Sequence, residues 1–137
     1  AALVAGRTPL GEARGFGRWI QRVMPLLKLF LAPPPTPADI LLEEGSTLSD
    51  WGSDLQVQHT PGHTPGSCTL VVQGRLAFAG DLISTTGKPH AQRFFAHDWE
   101  ALDASVQWLT SQSFEAIYPG HGPEPISSDM LRSALME

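Results

Sequence analysis

Thr60-Pro61-Gly62-His63-Thr64-Pro65-Gly66-Ser67 decides how this chain is read. One imidazole stands between two Pro-Gly pairs, just after Leu55-Gln56-Val57-Gln58-His59. That quintet alternates apolar and polar with period two, which predicts a half-buried strand. A strand that runs into a stiff, sharply bending loop holds the side chain at its end in one place. Two later segments repeat the design, Ala79-Gly80-Asp81-Leu82 and Tyr118-Pro119-Gly120-His121-Gly122. Imidazole and carboxylate are the usual nitrogen and oxygen donors to zinc, at about 2 Å. Each segment alone reads as an ordinary turn. The three together predict a His/Asp/His metal site.

Outward from these loops, Ser67 to Gln73 and Leu76 to Ala79 predict two strands joined at Gly74-Arg75, a hairpin turn with glycine first. Residues 80–97 read as a long loop, and long loops in compact domains are usually functional. Asp98 is a good N-cap for a helix from Trp99 to about Ser111, with Leu102, Val106 and Leu109 on its apolar face. Phe114 to Tyr118 is a short strand. Ser127 or Ser128 caps a last helix carrying Met130, Leu131, Leu135 and Met136. Upstream, Asp39 to Glu43 predicts a strand. Ala32 to Pro37 is a stiff proline connector, and residues 1–6 read as a helix end closed at Gly6. From Phe16 to Leu31 apolar residues recur at helical spacing, interrupted by Pro25.

The 137 residues suit one domain, and 42% hydrophobic with 17% charged residues suits a packed globule. The chain divides into a helical, proline-rich region over 1–38 and a sheet-and-helix region over 39–137. A net charge of -5 leaves no footprint for nucleic acid, so no nucleic-acid partner is expected. The lone Cys68 cannot close an internal disulfide. No apolar run is long enough to span a bilayer. The chain starts at Ala1 in what reads as the middle of a helix. The expectation is that the natural N-terminus, with any targeting signal, lies upstream; the compartment expected is the cytoplasm.

TPGHTPGS, FAGDL and YPGHG, in that order, resemble the metallo-β-lactamase superfamily of metal-dependent hydrolases, from about Asp39 to the end of the chain. The resemblance implies an α/β fold, the C-terminal half of a four-layer α/β/β/α sandwich with metals at one edge of the two sheets. It implies that His63 is the third histidine of the first metal site, that Asp81 bridges two metals, and that His121 completes the second site. It implies two ions in the intact protein, zinc, with iron or manganese able to use the same donors. A hydroxide activated by the metals would attack an ester, thioester or lactone-type bond of a small-molecule substrate. No protein side chain is assigned as the catalytic or substrate-binding group.

The pattern also departs from that family. Its upstream His-x-His-x-Asp-His motif is absent, and none of the five histidines forms a His-x-His pair. The simplest account is an N-terminal truncation. The chain alone is then expected to be inactive, to hold metal sub-stoichiometrically, and to leave Leu70, Val72 and Phe78 without a partner layer. The alternative is a non-catalytic binding or interaction module derived from the fold. Asp81 stands where zinc β-lactamases commonly carry Cys or a non-ligand, which argues against β-lactamase activity. Ser67 and Ser84-Thr85-Thr86-Gly87 replace the second histidine and the glycine-cysteine-glycine-arginine element of glyoxalase II. The nearest likeness is therefore to esterase, lactonase and thioesterase-like members.

Other residues have plainer readings. Cys68, alternating with Leu70 and Val72, is expected in the core. His59 is expected to be structural. His90 and His97 lie on the long loop expected to border the pocket. Trp99 and Trp108 belong to the amphipathic helix and are expected in the core. The basic, apolar Phe16–Leu31 segment invites a membrane-surface role. Because Pro25 breaks its apolar face, a lid or pocket wall is preferred.

Overall fold

The computed structural model describes residues 11–23, 37, 42–43, 45–48 and 54–136. The helix end expected over 1–6, the Pro25 interruption and nearly all of the proline connector lie outside them. So does most of the strand expected over Asp39–Glu43; its described residues, Leu42 and Glu43, carry no strand. The elements are β1 (Glu12–Ala13), α1 (residues 17–23), β2 (Leu55–His59), β3 (Cys68–Val72), β4 (Leu76–Ser84), β5 (His90–Ala91), β6 (Phe95–Ala96), α2 (Trp99–Ser111), β7 (Ala116–His121) and α3 (Ser128–Met136).

β2, β3 and β4 form an antiparallel meander, with Leu70 opposite both Val57 and Phe78. β7 adds to β4 in parallel, and α2 lies in the long connection that a parallel pair needs. β5 pairs with the end of β4, and β1 with β6 makes a separate two-stranded ribbon. The β3–β4 turn differs from expectation by one residue: Gln73 and Gly74 both take left-handed φ, 52° and 64°, as a type I′ turn requires.

α2 begins where its sequence says. Asp98 is extended and its carboxylate accepts from the Ala101 amide at 3.0 Å. At the other end the Arg132 guanidinium, from α3, donates to the carbonyls of Thr110 and Gln112 at 2.6 and 3.0 Å. The candidates for the α3 cap resolve to separate tasks: the Ser127 hydroxyl accepts from the Met130 amide, and the Ser128 hydroxyl accepts from the Phe114 amide at 2.8 Å. Leu102 and Leu109 of α2 and Leu131 of α3 are buried with Val71, Ala77 and Ile117 of the sheet. Each such leucine contributes about 1.5–3 kcal/mol. Met130, Leu135 and Met136, expected with Leu131 on the apolar face, are exposed. Trp99 and Trp108 pack against the core only in part.

One expectation fails because of the phase of β3. Thr69 and Val71 face the helices, so Cys68 faces the other way and is exposed. A one-residue shift in phase exchanges the two faces of a strand. On that second face Leu70 and Val72 are half-buried, while Phe78 is 44% exposed and stacks on Tyr118 with ring centroids 4.8 Å apart. A second correction concerns the loop expected over 80–97. Gly80 (φ +53°) marks a bulge, not a strand end. The buried Leu82 and Ile83 carry β4 on to Ser84, and β5 and β6 occupy more of the stretch. Likewise Pro119, Gly120 and His121, read as a loop, belong to β7.

Candidate metal centre

The loop that carries His63 is fixed to the start of α2. The Gly62 carbonyl accepts from the His97 and Asp98 amides at 2.7 and 3.0 Å, and the Ser105 hydroxyl donates to the Pro61 carbonyl at 2.7 Å. Gly62 has φ +134°, and a Cβ there would lie 2.3 Å from the Leu102 Cα. Only glycine permits this approach. His59, from the strand before, bonds through Nε2 to the Pro65 carbonyl at 2.9 Å and braces the same loop, a structural role as expected.

Asp81 follows the Gly80 bulge on β4, and His121 ends β7 beside it. The three expected residues come together around the Asp81 carboxylate. His63 Nε2 is 3.3 Å from Oδ2, and His121 Nε2 is 3.3 Å from Oδ1. The side chains grade outward, 23% exposed at His63, 38% at Asp81 and 71% at His121. Among the described residues no group of three or more donors gathers round one point as a cage for a single ion. The two imidazoles face different oxygens of one carboxylate, so the donors are strung along Asp81.

The fit to metal ions follows from these distances. Tetrahedral bonds of about 2.1 Å place neighbouring donor atoms about 3.4 Å apart. The two 3.3 Å contacts match that edge and are long for charge-assisted hydrogen bonds, which lie near 2.7–2.9 Å. The tautomer agrees. His63 Nδ1 donates to the Phe95 carbonyl at 2.9 Å, which leaves the Nε2 lone pair facing a carboxylate oxygen. Two lone pairs stay that close only with a proton or a cation between them. The donor set is nonetheless a partial shell, one imidazole beside one carboxylate oxygen at each side of Asp81.

A cavity of about 340 Å³ opens on Asp81, inside β4, and on His121, at the end of β7. Ser84, His90, Arg93 and Phe94 line it further. Of the two loop histidines, His90 therefore borders the pocket, whereas His97 lies on a different surface recess beside Gly11 and Arg18. Gly17, at the start of α1, packs so tightly on Phe94 that a Cβ would meet its carbonyl oxygen at 2.4 Å. The described part of the expected lid thus adjoins the pocket wall. Its Phe16 and Trp19 stack on each other and are exposed. The Phe95 carbonyl, which accepts from His63 Nδ1, was not legible as part of the site, because every residue type supplies a backbone carbonyl.

The family model described as the metallo-beta-lactamase superfamily matches residues 3–121. A probable metallo-hydrolase of Burkholderia pseudomallei (strain 1710b) is 34% identical over 92 residues, covering 56% of this chain and 31% of that protein. The chain spans less than a third of the length of the curated relatives it matches. Among solved structures, an archaeal metallo-beta-lactamase superfamily protein from Sulfolobus tokodaii aligns with a TM-score of 0.64 at 14% identity, over 99% of this chain and 55% of that one. The protein TTHA1623, crystallised in a di-iron-bound form, aligns with a TM-score of 0.58 at 27% identity, over 92% of this chain and 62% of that one.

Proposed function

The chain belongs to the metallo-β-lactamase superfamily, and from that premise we propose that it carries three ligands, His63, Asp81 and His121, of a binuclear metal-dependent hydrolase acting on an ester, thioester or lactone-type bond. The observation that carries the proposal is the arrangement of two imidazoles on opposite oxygens of one carboxylate, each at 3.3 Å. His63 and Asp81 Oδ2 would hold one ion, and Asp81 Oδ1 with His121 the other. A shared carboxylate offsets the repulsion between two divalent cations. Zinc is the ion proposed; a di-iron relative shows that iron suits such a fold. When bound, such ions bring the pKa of a coordinated water towards neutrality and polarise the bond under attack.

The rest is done by the chain itself. The Phe95 carbonyl holds the His63 ring in the tautomer that presents Nε2. The β4 bulge and β7 set Asp81 between the two rings. The cavity is of the size that small-molecule sites have, and its aromatic wall at Phe94 removes water from an apolar part of a substrate. No helix among the described residues is long and apolar enough to cross a membrane; a cytoplasmic setting is part of this proposal. The reading as a non-catalytic module draws on one observation, that each ion finds two donors here where a catalytic zinc has three.

The test compares the intact protein, with its complete ligand set, with its Asp81→Ala variant, by elemental analysis after dialysis and by hydrolysis of a panel of esters, thioesters and lactones. Loss of both metal and turnover in the variant is expected. Activity within about threefold of the parent at full metal content would remove the bridging role. For the 137-residue chain by itself the expected results are sub-stoichiometric metal and no useful turnover. Two tightly held ions per chain would overturn that expectation.

A further inference from the structure

Gln92 lies between β5 and β6, outside the three ligand segments. Its side-chain oxygen accepts from two successive amides, Arg93 at 3.0 Å and Phe94 at 3.1 Å. Both partners are donors, so this atom is the carbonyl oxygen of the side chain. The Gln92 amide donates to the Leu82 carbonyl at 3.0 Å, which ties the turn to β4 one residue beyond Asp81. The next carbonyl along, Phe95, is the one that accepts from His63 Nδ1. Gln92 Nε2 also lies 3.5 Å from that Nδ1, at the far limit of a hydrogen bond, and loses to the 2.9 Å contact. Gln92 therefore reaches His63 through the peptide backbone.

We propose that Gln92 is the positioning residue for His63: by closing the 92–95 turn it aims the Phe95 carbonyl at Nδ1 and so presents Nε2 to the metal side. Only the last step rests on the metal-site reading; the tautomer is a property of the metal-free chain. A second restraint limits the size of the effect. The Phe94 carbonyl accepts from the Arg14 amide at 2.9 Å, and β1 pairs with β6 across Phe95. Partners outside the ligand shell commonly change metal affinity about 10–100-fold, and with this backup the lower end applies.

The test uses Gln92→Met, which keeps the length and removes the acceptor, and Gln92→Glu, which keeps it. Nitrogen-15 spectra of the metal-free protein read the His63 tautomer. Parent and Gln92→Glu should carry the proton on Nδ1, and Gln92→Met should become a mixture. The zinc Kd, by competition with a chromophoric chelator, should rise about tenfold in Gln92→Met alone. An unchanged tautomer in Gln92→Met overturns the proposal. If the parent shows the Nδ1 tautomer and its loss in Gln92→Met, but no zinc binding, the positioning stands and the metal reading falls. If Gln92→Met does not fold, hydrogen exchange in the parent decides: slow exchange at the Arg93 and Phe94 amides supports the turn, and exchange at the free-peptide rate overturns it.

Discussion

Replacing Gly120 by Ala separates the site from the fold that carries it. A Cβ at position 120 would lie 2.3 Å from Asp81 Oδ1, against 3.4 Å for the start of ordinary contact. The carboxylate oxygen must therefore retreat by about 1.1 Å, while metal–ligand distances tolerate about 0.2 Å. The same Cβ would lie 2.9 Å from the Gly80 carbonyl carbon, so the backbone offers no relief. Gly120 is not among the residues with positive φ, so alanine meets no conformational barrier there. Crowding costs about 1–3 kcal/mol, and the reduced freedom of the unfolded chain returns about 0.4–1 kcal/mol. The variant should fold with a modest loss of stability and bind zinc about 100-fold or more weakly than the parent. Urea unfolding and chelator competition on the same preparation measure both. Zinc affinity within about threefold of the parent, a difference of about 0.7 kcal/mol, would refute the claim that Oδ1 is a ligand held in place by the missing side chain.

Gly62→Ala, by contrast, combines a forbidden φ with a clash against the α2 backbone and should cost about 3 kcal/mol or more by denaturant unfolding; a loss under about 1 kcal/mol would show that the His63 loop is not seated on that helix. Asp98→Ala removes the α2 cap and should cost about 1 kcal/mol, read as a lower urea midpoint at unchanged slope, whereas Asp98→Asn should retain most of it. The Glu115 carboxyl, bonded to the Arg75 guanidinium at 2.6 and 2.7 Å, is held below the ordinary glutamate range chiefly by those hydrogen bonds. Its small contribution to stability is thus present above that range and lost as pH falls through the lowered value. In Arg75→Gln an NMR titration should find Glu115 back at an ordinary value, and an unmoved titration would show that Arg75 is not the cause.

What could be read from the sequence was whatever local chemistry dictates. Asp98 and the apolar spacing of Leu102 and Leu109 specify α2 without help from the rest of the chain. The Pro-Gly pairs around His63 and the Gly beside Asp81 and His121 marked three places where a side chain is held rigidly, and the structure sets those three side chains side by side. Gly80 misled as to extent, because a glycine inside a strand gives the same signal as a glycine that ends one; only pairing with β7 and burial of Leu82 tell a bulge from a stop. Cys68 misled as to phase, because Cys-Thr-Leu-Val-Val is apolar enough to alternate either way, and the helices over Val71 decide. Gln92 left no trace, since any residue type contributes a carbonyl like that of Phe95 and the side chain that aims it lies three positions away.

The parallel pairing of β4 with β7 also bears on how the centre is assembled during folding. His63 and Asp81 are joined through the short hairpin turn between β3 and β4, whereas Asp81 and His121 meet only after the chain has run through α2 and returned. The second separation is about twice the first, and a doubling of loop length costs only about 0.6 kcal/mol of closure entropy. The delay comes instead from topology, because non-local parallel strands pair slowly while a hairpin closes in microseconds. A newly made chain therefore closes the β3–β4 hairpin well before β7 delivers His121, while the His63 loop waits for its seat on α2; on the proposed reading, neither half of the centre is complete until the chain has run through that helix.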